Sequence, residues 1–213
     1  MSRLSSVFTL FVLLSADVCA VSGPLLLDDV DDVYPFVPTW QGMTVLHVGD
    51  SHVSAGLKRG LARRLKEAGA HYRPVCWVGS RAKSWVASGR LKRLIDKHRP
   101  DAIVITLGTN AMQHGRPDKY AGWVQALVRK LKGKTCYWLG PPPLLDDSHG
   151  YNEMVFENSK PCRYFDSRIL NTPKRSDGKF HLTKTQGEDW AQKVWNWMND
   201  RIDGSNIEER DAL

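Results

Sequence analysis

From residue 43 to about residue 201, short apolar runs alternate with longer stretches of helical periodicity. The runs at 44–48, 74–78, 102–107, 135–139 and 162–166 have the length and β-branched or aromatic content of strands. The third, Ala102-Ile103-Val104-Ile105-Thr106-Leu107, is apolar on both faces, as a central parallel strand should be. Between the runs lie amphipathic segments. Residues 54–68 put Leu57, Leu61 and Leu65 on one face and Lys58, Arg63, Arg64 and Lys66 on the other, and Gly69 stops them. Residues 89–98 are closed by Pro100, and 118–132 bring Trp123, Leu127 and Leu131 into register ahead of Gly133. A weaker helical stretch covers 150–158, and a last helix over 184–201 spaces Trp190, Val194 and Trp197 to pack on the sheet. This order predicts an α/β fold: a central parallel five-stranded sheet with helices on both faces and right-handed crossovers.

The N-terminus breaks the rhythm. Arg3 precedes the apolar run 7–14, and Val18-Cys19-Ala20 offers small residues for cleavage. That pattern predicts a secretory signal peptide over 1–20, too short to span a bilayer, and hence a periplasmic or secreted protein. Residues 21–42, with Asp28, Asp29, Asp31, Asp32, Pro35 and Pro38, read as an extended leader. The globular domain is expected over 43–203 and a flexible tail over 204–213. At 213 residues the chain fits one domain with a full-sized core.

Charge then narrows the partners. The whole chain carries a formal +7, and removing 1–20 takes away one cation (Arg3) and one anion (Asp17), leaving +7. A basic exported domain favours anionic partners such as acidic glycans, cell-wall polymers or lipid head groups. The basic residues are spread along helices without interleaved stacking aromatics, which argues against nucleic acid. Cys76, Cys136 and Cys162 remain after residue 20. If 135–139 and 162–166 are neighbouring parallel strands, Cys136 and Cys162 sit at matching heights, and a disulfide between them is expected in an exported protein. Cys76 is left as a buried thiol. No paired Cys-x-x-Cys or His-Glu-x-x-His spacing supports metal chemistry, and no cofactor is implied.

Four short pieces carry the candidate chemistry. Gly49-Asp50-Ser51 follows the first strand, Gly79 the second, Gly108-Thr109-Asn110 the third, and Asp177 and His181 precede the last helix. The carboxyl ends of parallel strands open on the crevice where α/β folds bind ligands. Ser51 there is a candidate nucleophile, and its own N–H, the Gly79 N–H and the Asn110 side chain are candidate oxyanion donors. His181 is the candidate base and Asp177 the acid that orients it. Each piece has a plainer reading: Asp50 or Ser51 as a helix cap, Gly79 as a turn glycine, Asn110 as an N-cap. Their joint order and placement favour the catalytic one. His47, inside a strand, reads as a hydrogen-bonded core residue. His52, beside Ser51, could line the site, and Trp85 could offer a sugar-stacking face or pack into the core.

With these residues in place the chain resembles the SGNH (GDSL-like) hydrolase superfamily, and Gly140-Pro141-Pro142 after the fourth strand and Asp166-Ser167-Arg168 after the fifth resemble its exported bacterial members. The four blocks are Gly49-Asp50-Ser51, Gly79, Gly108-Thr109-Asn110 and Asp177 to His181, and the resemblance covers about 43–201. It implies a flavodoxin-like three-layer α/β/α sandwich and an esterase, lipase, carbohydrate O-deacetylase or acyltransferase that needs no metal. Two departures stand out. His52 follows the nucleophile where leucine is usual, and Asp177 lies four residues before His181 where the usual spacing is three. The expectation is an exported serine esterase acting on an acylated carbohydrate or cell-wall polymer. An O-acyltransferase on such a glycan, or a non-catalytic glycan-binding module of the same fold, are the alternatives.

Overall fold

In a computed structural model of the protein, the described residues are 39–54, 57–145, 147, 149–172 and 181–200. The proposed signal peptide, most of the leader, the tail and Asp177 lie outside them. Five strands run in parallel: β1 (Thr44–Gly49), β2 (His71–Cys76), β3 (Ala102–Thr106), β4 (Thr135–Leu139) and β5 (Arg163–Phe165), in the order β2-β1-β3-β4-β5. The helices are α1 (Leu57–Glu67), α2 (Ala82–Ala87), α3 (Arg90–His98), α4 (Thr109–Met112), α5 (Asp118–Arg129), α6 (Tyr151–Asn158) and α7 (Lys184–Asn199).

Strand alternation divides the core in two. Leu46, Val48, Ile103, Ile105 and Trp138 point to one face and pack with α2, α3, α5 and α6 through Trp85, Leu91, Leu127 and Val155. Val45, Val104, Tyr137 and Leu139 point to the other and meet α1 and α7 through Leu57, Leu61, Leu65, Trp190 and Val194. The expected α/β/α layering is therefore present. Each fully buried aliphatic side chain adds about 1.5–3 kcal/mol relative to exposure.

Four expectations need correction. The second strand begins at His71 rather than at 74, and Pro74 lies within it. β2 is the sheet edge, where a missing backbone N–H is tolerated. The short helices α2 and α4 were not expected. Arg64 is buried rather than on the solvent face of α1: its guanidinium donates to the Gly60 carbonyl at 3.0 Å, to Glu188 at 2.7 Å and to Gln192 on α7. Cys76 is half-buried rather than buried. Cys136 and Cys162, paired across β4 and β5 one step before Tyr137↔Arg163, are joined in a disulfide with Cα atoms 4.7 Å apart.

The strand order places a crossover reversal between β1 and β3. Open α/β sheets bind ligands at such a switch point. The chain leaves β1 into Ser51 and leaves β3 into Asn110, so both arrive at this point.

Candidate active site

Gly49 ends β1 where the backbones crowd. A Cβ there would lie 2.2 Å from the Thr106 carbonyl oxygen, so only glycine fits. The chain then turns through a short 3-10 segment, Ser51–Val53, capped by the Asp50 carboxylate, which accepts from the His52 N–H at 3.0 Å. The capping reading of Asp50 is thus correct, and it leaves Ser51 free. The Ser51 Oγ lies 2.7 Å from Nε2 of His181, 130 residues away in sequence. Ser51 is half-buried and His181 exposed.

The Ser51 and Gly79 N–H groups find no acceptor among the described residues. Gly79 has φ +73°, a conformation that favours glycine, and a Cβ there would meet nothing within 4 Å. Its neighbour Ser80 is tied to the site, because the Ser80 carbonyl accepts from the Asn110 amide at 3.2 Å.

Asn110 is not an N-cap; it sits inside α4. Its Nδ2 donates to Asp50 Oδ2 at 3.2 Å as well as to Ser80. Both amide hydrogens therefore have protein acceptors, and a developing oxyanion would have to compete with one of them. Burial pushes the Asp50 carboxyl up to about 7, while the His52 N–H and the Asn110 amide pull it down. The Cys76 thiol donates to the Asp50 carbonyl at 3.2 Å and so braces the turn from beneath.

Of the two readings of Trp85 the core one holds, and His52 is corrected as a lining residue. Trp85 has 0% exposure, packs edge-on to Trp77 and donates from Nε1 to Ser80 Oγ at 3.0 Å, so it offers no face to a sugar. It holds the Ser80 loop instead. His52 is 2% exposed, its ring centroid 5.4 Å from that of His181 and 6.1 Å from that of Trp190. It backs the candidate base rather than lining the pocket. Burial, then repulsion from His181, pushes the His52 imidazole down to about 3, so it is neutral at physiological pH. Its Nδ1 is buried without a partner among the described residues. His47 is the core residue expected: fully buried, bonded to Tyr72 Oη and Thr106 Oγ1.

No protein-family model matches the sequence, and no curated protein does. Solved structures do. A catalytic mutant of an acetylxylan esterase from Geobacillus stearothermophilus superimposes with TM-score 0.64 at 14% identity, covering 76% of this chain and 96% of that one. An acetyl xylan esterase gives TM-score 0.60 at 18% identity over 73% and 99%. A candidate GDSL-like lipase from Parabacteroides merdae gives 0.58 at 14% over 78% and 99%. The chain has the fold of the SGNH (GDSL-like) hydrolases. Within that fold the blocks at Ser51, Gly79 and Asn110 stand at the carboxyl ends of β1, β2 and β3, with His181 ahead of α7.

Proposed function

We propose that the protein is a serine esterase that removes acyl groups, acetyl among them, from a carbohydrate or cell-wall polymer. The observation that carries this reading is the 2.7 Å approach of His181 Nε2 to Ser51 Oγ at the switch point of the sheet. A serine hydroxyl needs an adjacent base to become a useful nucleophile. His181 takes the hydroxyl proton as Oγ attacks the ester carbonyl carbon. The tetrahedral oxyanion is held by the N–H groups of Ser51 and Gly79 and by the Asn110 amide. Collapse breaks the carbon–oxygen bond to the alcohol, which leaves with the proton from His181. Water then attacks the acyl-enzyme carbonyl, losing its proton to His181. The carboxylic acid departs as Oγ recovers that proton.

Asp177, four residues before His181, is assigned the role of orienting the imidazole. Acetylated carbohydrate is favoured as substrate because two of the solved structures that share the fold are acetylxylan esterases. Export is assigned from the charged, apolar and small-residue pattern of 1–20. Hydrolysis of p-nitrophenyl acetate by wild type beside Ser51→Ala and Asp177→Ala tests the reading. Ser51→Ala should lose activity by at least ~10³-fold, and Asp177→Ala should retain a reduced rate. A wild type no faster than Ser51→Ala would sink it.

A further inference from the structure

The seam between α1 and α7 is tightly built. A Cβ on Gly60 would lie 2.4 Å from Ala191 Cβ, so the two helices touch backbone to side chain. Glu188 of α7 accepts from Arg63 and from Arg64 of α1, and Arg64 also reaches Gln192. At the N-terminal end of this seam is a groove of about 320 Å³ lined by Arg59, Lys184, Thr185 and Glu188.

The charge in this groove is unbalanced. Glu188 is the single carboxylate among its described lining residues, and two arginines outside that lining already occupy it. Arg59 and Lys184 are exposed and have no carboxylate partner among the described residues. They stand in the first turns of an 11-residue and a 16-residue helix, whose dipoles add positive potential at the same end. The groove is also close to the candidate chemistry. Lys184 follows His181 by three residues, so the two Cα atoms are at most about 11 Å apart.

We infer that this groove is a subsite for an anionic group, a carboxylate or a phosphate, that the substrate carries beside its ester. The inference deepens the esterase reading and rests on it for the ester. Arg59 offers a planar fork to the anion, Lys184 a point charge and Thr185 a hydroxyl. The ester of an acidic glycan would thereby be presented to Ser51 by its charged neighbour.

The test compares the full chain with its Arg59→Gln/Lys184→Gln variant on three acetyl esters: O-acetylated polygalacturonate, an O-acetylated poly(glycerol phosphate) and acetylated xylan free of uronic acid. Each kcat/KM is divided by that on p-nitrophenyl acetate, which normalises for the Ser51 chemistry. The variant should lose at least tenfold in this ratio on one or both anionic polymers, through KM, with no comparable loss on neutral xylan. The wild-type preference should weaken as salt rises. Loss on polygalacturonate assigns a carboxylate, and loss on the phosphate polymer a phosphate. Equal ratios in wild type and variant on all three, or a loss as large on neutral xylan as on the anionic polymers, would overturn the subsite. A wild type without esterase activity defeats the esterase reading alone. Direct titration with unacetylated polygalacturonate and poly(glycerol phosphate) then decides the groove: binding to either that weakens tenfold in the variant supports it, and binding to neither, or unchanged by the variant, rejects it.

Discussion

Asp50 does three jobs at once. It caps the turn that carries Ser51, it receives one hydrogen of Asn110, and it keeps a buried carboxyl beside the place where an oxyanion would form. Asn110→Ala should lower kcat by ~10²–10³ with little change in KM, the usual cost of one oxyanion donor. Asp50→Ala should also lower kcat, because it removes the cap of the turn that holds Ser51 and the acceptor that orients Asn110. Steady-state kinetics separating kcat from KM checks both. His52 is the opposite kind of residue, a polar ring in the position of an apolar one. His52→Leu removes a buried nitrogen without a partner and should stabilise the fold by about 1–3 kcal/mol.

The pH dependence of stability follows from the same residues. The unfolded chain protonates His47 and His52 below about 6.5, whereas burial holds the folded imidazoles at about 3, so both drain stability as pH falls through that window. Asp50 has the reverse sign: raised to about 7 from 3.8, it costs stability as pH rises between those values. With two histidines against one carboxyl, the urea midpoint should fall between pH 6.5 and 4. The fall should be shallower in His52→Leu, and an unchanged slope would refute this account of His52. Ser51, Gly79 and Asn110 were readable from the chain because each follows a strand end, and His181 because it stands just ahead of the last helix. The burial of His52 was not, and that of Trp85 stayed one of two open readings, since they depend on Trp190 of α7 and on Trp77 and Ser80 in the loop after β2.

At the level of elements, the apolar runs located all five strands, and periodicity located the five longer helices, α1, α3, α5, α6 and α7. The misses are local. The run Val75-Cys76-Trp77-Val78 looks like a strand, yet Val78 is 73% exposed and pairing stops at Cys76. The six-residue α2 and four-residue α4 are too short to show a helical period. Arg64 misled because a cation on an amphipathic helix usually faces water, and the partner that buries it, Glu188, is 124 residues distant. The α1–α7 seam gives an element-scale prediction. Gly60→Ala gains about 0.5–1 kcal/mol of helix propensity but forces a methyl into Ala191, which costs about 1–3 kcal/mol. The clash should win, lowering the urea midpoint, whereas Gly122→Ala on open surface should raise it.

For the molecule as a whole, among the described residues α1 and α7 cover one face of the sheet and α2 to α6 the other, and the Cys136–Cys162 bridge ties the edge strand β5 to β4. Reduction should add two hydrogens to the mass, mapped to those two peptides. Closing a 26-residue span is worth about 3–4 kcal/mol in the chain-entropy account, so reduction should also lower Tm. The layer architecture was readable in full, because alternation of strand and helix leaves few other topologies. The orienting acid was not settled by sequence, since its four-residue spacing to His181 does not fix a contact.

The central claim is that Ser51 is a nucleophile activated by His181. Its most direct measurement is covalent labelling of the native protein with a fluorophosphonate, read by intact mass and peptide mapping. The account predicts one adduct, on Ser51, formed much more slowly in His181→Ala and absent in Ser51→Ala. No adduct on wild type, or an adduct that persists in Ser51→Ala, would contradict it.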